Sequence, residues 1–295
     1  MSTACLFPGQ GSQFKGMGKT LFDSHSKAAE RFLQADEILD YSLSDIMFNG
    51  PEEKLTETRY TQPAIFLHSV ARFESLDLKP ERVAGHSLGE FSAIFASGAI
   101  DFENGLQLVS LRGTLMQKAG EKEAGTMAAI IGLEDHKVEN ICKQASDETQ
   151  KPVVPANYNC PGQLVISGDV KAVEKAVELA KEQNCRLAKL LPVSGAFHSP
   201  LMQSAYEGLK SKLQEITLKK PDFPVYSNYT AKAVTEPKMI RENILQQLLN
   251  PVRWTQTLLQ MHRDGATRFV EVGPGKVLQG LVKRTLKDVE IEGFQ

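Results

Sequence analysis

The chain's 295 residues suffice for one large domain, or for a domain carrying a smaller insertion. With 41% hydrophobic and 24% charged residues and a formal net charge of -2, the composition is that of an ordinary globule and argues against a nucleic-acid binder. No apolar run approaches the roughly 20 residues of a membrane span, so no membrane contact is expected.

The N-terminus, Met1-Ser2-Thr3-Ala4-Cys5-Leu6-Phe7, lacks the charged start and apolar core of a signal peptide. Leu6-Phe7 ends a first predicted strand, and Pro8-Gly9-Gln10-Gly11-Ser12-Gln13 is a Gly-rich loop after it. That loop is neither Gly-x-Gly-x-x-Gly nor a Walker loop with its lysine, so nucleotide binding is not expected. A loop that lends a backbone amide to an oxyanion fits better. Gln62-Pro63 opens a predicted helix through Ala64, Leu67, Val70, Ala71 and Leu76, with Pro63 in its first turn.

Arg82-Val83-Ala84 reads as a short strand running into Gly85-His86-Ser87-Leu88-Gly89, and a helix over Leu88 to Ser97 follows. This fits Gly-x-Ser-x-Gly between a strand and a helix, the nucleophile elbow. The turn is so sharp that its flanking residues must be small. It lifts the Ser87 hydroxyl clear of the backbone and leaves the Leu88 amide free to donate to an oxyanion. The predicted helix from Phe102 to Ala119 carries Leu108, Val109, Leu115 and Met116 on one stripe, with Arg112 on the same face. An unpaired buried guanidinium is costly, so an anion is expected to meet it. A substrate carboxylate suits the planar fork. The competing readings are a snorkelling head group or an internal Asp or Glu partner.

The middle of the chain changes rhythm. Met127–Leu133 is a predicted strand, Asp135–Gln144 a helix, Val153–Asn157 and Leu164–Ser167 strands, Val170–Gln183 a helix and Arg186–Leu191 a strand. The order βαββαβ is ferredoxin-like. The chain therefore divides into an α/β part, residues 1–125 and 193–295, and an inserted ferredoxin-like part, residues 126–192.

Where the chain returns, Val193-Ser194-Gly195-Ala196-Phe197-His198-Ser199-Pro200 places His198 at a junction of the kind where clefts form, and makes it a candidate base for Ser87. Asn250-Pro251 predicts a helix start, Arg268–Val272 a strand, and Gly273-Pro274-Gly275 a turn into a last helix. Cys5, Cys142, Cys160 and Cys185 form no Cys-x-x-Cys, and the six histidines lack metal-ligand spacing. With the N-terminus, that pattern favours reduced thiols, a cytoplasmic location and no metal.

Several segments together resemble the malonyl-CoA:acyl carrier protein transacylase family. They are Phe7 to Gln13, Gly85 to Glu90, Asn157-Tyr158-Asn159-Cys160-Pro161-Gly162-Gln163, Gly195 to Ser199, and Glu271-Val272-Gly273-Pro274-Gly275-Lys276-Val277-Leu278, in the family's order. The resemblance implies an α/β-hydrolase-like large domain carrying a ferredoxin-like small one. It implies Ser87 as nucleophile, His198 as base, the amides of Gln10 and Leu88 as oxyanion hole, and Arg112 as ligand of the malonyl carboxylate. Gln62 and Asn157, by pattern alone plain capping or turn residues, would line the acyl site. Phe197 would set the choice of malonyl over methylmalonyl, since serine at this position goes with methylmalonyl. The histidine would be oriented by a backbone carbonyl, which the resemblance puts at Arg253, where the best-known bacterial form has a glutamine.

The implied partners are malonyl-CoA, as a substrate, and an acyl carrier protein; no cofactor is implied. Leu33-Gln34-Ala35-Asp36-Glu37-Ile38-Leu39-Asp40-Tyr41-Ser42 and Gly195 to Ser199 look most like the discrete acyltransferases that serve polyketide synthases in trans. The housekeeping enzyme of fatty-acid synthesis is the alternative. A hydrolase of stalled acyl carriers is the third reading, against which Arg112 argues, since uncharged acyl chains gain nothing from a buried cation.

Overall fold

The computed structural model describes residues 2–193 and 195–295. Strand β1 (Thr3–Phe7) is followed by helices α1 (Lys19–Ser24), α2 (Ser26–Leu39), α3 (Leu43–Asn49), α4 (Glu52–Thr56) and α5 (Thr58–Glu74). Strand β2 (Arg82–Gly85) then leads into α6 (Gly89–Ala96) and α7 (Phe102–Lys122). Next come β3 (Gly125–Ile131), α8 (Asp135–Thr149), β4 (Val153–Cys160), β5 (Gln163–Asp169), α9 (Val170–Glu182) and β6 (Leu187–Leu190). The chain closes with α10 (Gln203–Glu215), β7 (Val225–Tyr226), β8 (Ala233–Val234), α11 (Pro237–Gln247), α12 (Trp254–Arg263), β9 (Arg268–Val272), α13 (Val277–Thr285) and β10 (Glu290–Phe294).

Two sheets result. The large one has the order β10-β9-β1-β2-β7-β8 and is parallel except for the β7–β8 pair. Its central strands β9, β1 and β2 are mostly apolar and buried because helices cover both faces. Cys5, Phe7 and Val83 pack with the α2, α5, α6 and α7 side, whereas Ala4, Leu6 and Ala84 pack with Trp254, Leu258, Leu278 and Leu281 of α12 and α13. The small sheet is antiparallel with order β4-β5-β3-β6, the ferredoxin-like arrangement. Its alternation likewise separates two faces. Ala128, Ile130, Leu164 and Ile166 pack beneath α8 and α9, whereas Met127 and Val165 turn to the main core. The fold is thus an α/β-hydrolase-like body with a ferredoxin-like insertion.

Two helix starts fall several residues from expectation. The helix expected to open at Pro63 begins at Thr58, so Pro63 lies inside α5. There α7 comes so close that a Cβ on Gly113 would stand 2.7 Å from the Thr58 carbonyl oxygen, and this packing holds the early turn in place. No helix starts at Pro251 either. Val252 instead bridges β4 in parallel, accepting from the Tyr158 amide and donating to the Ala156 carbonyl, and α12 begins only at Trp254. That extended segment ties the edge of the small sheet to the body. Among the described residues no helix is long and apolar enough to cross a membrane.

Candidate active site

The end of β2 fixes the first site residue. Ser87 has φ 52, a left-handed backbone that side chains other than glycine adopt only under constraint. The constraint is steric. A Cβ on Gly85 would lie 1.8 Å from the Gly89 carbonyl carbon, and one on Gly89 would lie 2.1 Å from the Phe7 carbonyl oxygen. The Ser87 amide donates to Asn228 Oδ1 at 2.7 Å, and Asn228 Nδ2 donates to the Gly85 carbonyl at 2.7 Å. Asn228 therefore clasps the elbow on either side of His86.

Ser87 Oγ lies 2.7 Å from His198 Nε2. His198 Nδ1 lies 2.7 Å from the Gln247 carbonyl oxygen. A carbonyl can only accept, so Nδ1 carries the hydrogen and Nε2 presents its lone pair to the Ser87 hydroxyl. Burial, followed by the charge of Arg112, lowers the His198 pKa to about 3. The ring is therefore neutral at ordinary pH.

The expectation that the Arg253 carbonyl orients this histidine is corrected. The Arg253 carbonyl accepts instead from the Thr257 amide and from Thr257 Oγ1, both at 2.9 Å, and so caps α12. Gln247, the last residue of α11, supplies the acceptor.

Arg112 is only 1% exposed, so its head group does not reach water. Its Nη1 donates to Gln62 Oε1 at 2.8 Å, and its Nη2 to Gln247 Oε1 at 2.8 Å and to Ser87 Oγ at 3.2 Å. All these acceptors are uncharged, and Nε has no partner among the described residues. Burial lowers its pKa to about 9, opposed by the charge of Glu90. The carbon of the guanidinium stands 5.4 Å from the Phe91 ring centroid. The result is a desolvated cation beside a hydroxyl, with donors left to offer.

One cleft of about 280 Å³ gathers Gln10, Gln62, Ser87, Leu88, Arg112, Asn157, Phe197 and His198. Arg253 is the one candidate it leaves out. The loop carrying Gln10 is pressed onto the elbow, since a Cβ on Gly9 would meet the His86 carbonyl oxygen at 2.4 Å. Among the described residues the backbone amides of Gln10 and Leu88 have no acceptor. Asn157 sits at a register shift of β4, opposite Val252. Phe197 is 7% exposed and belongs to the main core, yet it also forms part of the cleft wall. The second histidine, His86, places Nε2 2.8 Å from Asn159 Oδ1 and its ring edge-on to Trp254. Among the described residues no cluster of His, Cys, Asp and Glu could hold a metal ion.

Sequence reasoning missed Gln247 and Asn228. Neither stands in a motif, and a backbone carbonyl acceptor has no residue signature. Glu90 was legible as a lone charge at the start of an apolar helix, Gly89-Glu90-Phe91-Ser92-Ala93-Ile94, but had no assigned role.

Comparison with known proteins agrees in one direction. A family model described as the acyl transferase domain matches residues 5–293. The malonyl CoA-acyl carrier protein transacylase of Bacillus subtilis is 44% identical over 294 residues, covering 98% of this chain and 92% of its own length. That of Haemophilus influenzae is 44% identical over 292 residues, covering 97% and 93%. Among solved structures, an acyl carrier protein S-malonyltransferase from Vibrio cholerae superposes with a TM-score of 0.96 at 41% identity, covering 100% of this chain and 97% of that one. A malonyl-transacylase solved in complex with its type II PKS acyl-carrier protein superposes with a TM-score of 0.94 at 39% identity, covering 99% and 95%.

Proposed function

This chain belongs to the malonyl CoA-acyl carrier protein transacylase family of acyl transferase domains, and on that premise we propose that it moves malonyl from coenzyme A to a carrier-protein thiol through an ester on Ser87. The observation that carries the reading is Arg112, a buried cation whose acceptors among the described residues are all uncharged, 3.2 Å from Ser87 Oγ. A group that brings its own carboxylate to the serine supplies the missing anion.

In the proposed mechanism His198 Nε2 takes the Ser87 hydroxyl proton as Oγ attacks the thioester carbonyl. The amides of Gln10 and Leu88 hold the oxyanion, while Arg112, assisted by Gln62, binds the malonyl carboxylate. The C–S bond breaks, and the coenzyme A sulfur leaves with the proton from Nε2. The carrier's phosphopantetheine thiol then gives its proton to Nε2 and attacks the ester carbonyl. The C–Oγ bond breaks, and Ser87 recovers its proton from His198. Asn157 lines the acyl site, and Phe197 fills the space a 2-methyl group would need.

Two pathway readings share this chemistry. The segments Leu33–Ser42 and Gly195–Ser199 favour a discrete enzyme serving a polyketide synthase, and the relative solved with a type II PKS carrier fits that reading. The relatives at 44% identity, named for malonyl transfer alone, support service in fatty-acid synthesis equally well. Both readings place the chain in the cytoplasm, whose reducing conditions suit four free cysteines. Loading the protein with malonyl-CoA and offering equal amounts of a fatty-acid carrier and a polyketide carrier decides between them by mass spectrometry. Preference for the fatty-acid carrier would exclude the polyketide assignment, and failure of wild-type protein to take up malonyl would exclude both.

A further inference from the structure

Glu90, in the first turn of α6 and three residues after Ser87, is 2% exposed and among the described residues makes no hydrogen bond to a cation. A buried carboxylate with no directly bonded cation costs stability, offset only in part by the Arg112 charge beyond Gln247, which directs attention to what it holds. Its Oε2 accepts from Gln247 Nε2 at 2.6 Å and from the Asn228 amide at 3.3 Å.

Gln247 touches three parts of the site at once. Its backbone carbonyl takes the His198 Nδ1 hydrogen, its Oε1 takes Arg112 Nη2, and its Nε2 donates to Glu90 and, at 2.9 Å, to the Ser87 carbonyl. A primary amide can be turned over within nearly the same volume. Turned over here, it would set its NH₂ against the guanidinium, donor to donor, and its oxygen against Glu90 and the Ser87 carbonyl, acceptor to acceptor.

We propose that Glu90 is a positioning residue: by holding the Gln247 amide in one orientation, it keeps Oε1 facing Arg112 and so keeps the guanidinium aimed at the acyl group on Ser87. The inference rests on the malonyl reading above. Burial pushes the Glu90 carboxyl up to about 7, with its bonds to Gln247 and Asn228 opposing. The arrangement survives protonation, because a proton on Oε1 leaves Oε2 free to accept. For the same reason glutamine at position 90 can present an oxygen to Gln247.

The test is the ratio of kcat/KM for malonyl-CoA to that for acetyl-CoA, measured by single-turnover loading of wild-type, Glu90→Gln and Glu90→Met proteins. Loss of one charge-assisted bond to Arg112 corresponds to about tenfold or more in the ratio. Glu90→Met is expected to lose that much, and Glu90→Gln to stay within about threefold of wild type. If Glu90→Met does not fold, Gln247→Leu removes the same bridge, leaves the backbone carbonyl for His198, and is expected to lose the ratio equally. An unchanged ratio in the folded bridge variant, or a Glu90→Gln ratio as low as that of Glu90→Met, would overturn the proposal. Absence of malonyl loading in the wild type would instead remove the reading it rests on.

Discussion

His198 Nδ1 donates its hydrogen to the backbone carbonyl of Gln247 at 2.7 Å, and the side chain of the same Gln247 accepts from Arg112 at 2.8 Å. The last residue of one helix thus sets both the tautomer of the candidate base and the aim of the buried cation. A carbonyl does not titrate, so nothing in that contact holds a positive charge on the imidazole as an aspartate would.

The pH dependence follows from this neutrality. The histidine pKa stands at about 3, against 6.5 for an unperturbed ring. Loading of malonyl at low substrate should show no acid limb near pH 6.5 attributable to the base, and should stay level from pH 8 down to about 5. Stability changes with the opposite emphasis. Below 6.5 the unfolded chain binds a proton that the folded one refuses until about 3. The stabilisation is therefore complete above 6.5 and is lost as the pH falls toward 3. A His198→Gln protein should lose less stability than wild type between pH 7 and pH 5 in urea titrations. A loading profile with a midpoint near 6.5 that His198→Gln abolishes would contradict a neutral ring with its hydrogen on Nδ1.

Arg112→Ala should lower kcat/KM for malonyl-CoA by at least about a hundredfold, the scale of a lost charge-assisted bidentate pair. Acetyl-CoA, which has no carboxylate to lose, should load as well as before or better. Parallel single-turnover measurements with the two thioesters check this. Equal losses would mean that Arg112 serves packing alone.

The sequence made Ser87 legible because both constraints on it leave glycines in one short motif. Gly85 is imposed by Gly89 four residues on and Gly89 by Phe7 at the end of distant β1, and a strand and a helix flank them. His198 was legible only through its junction between two patterns, and Arg112 through its place on an apolar stripe. Gln247 acts through its backbone carbonyl and side-chain amide and Asn228 through its side-chain amide, single contacts that leave no periodic trace. The same limit explains Pro251, whose local chemistry suits a helix start. The pairing of Val252 with distant β4 overrides that preference.

Wild-type protein should prefer malonyl-CoA to methylmalonyl-CoA, because the Phe197 ring occupies the cleft wall beside His198. Forcing one methyl into filled space costs about 1–3 kcal/mol, or roughly 10- to 100-fold in selectivity. Phe197→Ser should narrow that gap. Values of kcat/KM for both thioesters, on protein shown to remain folded, decide it. An unchanged ratio would leave Ser87, His198 and Arg112 untouched and remove Phe197 from specificity.

The acyl-serine is the step on which the whole account depends, and intact-mass spectrometry after brief exposure to malonyl-CoA reads it directly. Wild-type protein should gain one malonyl group, which peptide mapping places on Ser87 and which a carrier-protein thiol then removes. Ser87→Ala should gain none, since the hydroxyl 2.7 Å from His198 Nε2 is the one the geometry activates. A stable malonyl adduct on the Ser87→Ala protein, or a wild-type adduct that no carrier can discharge, would contradict the mechanism.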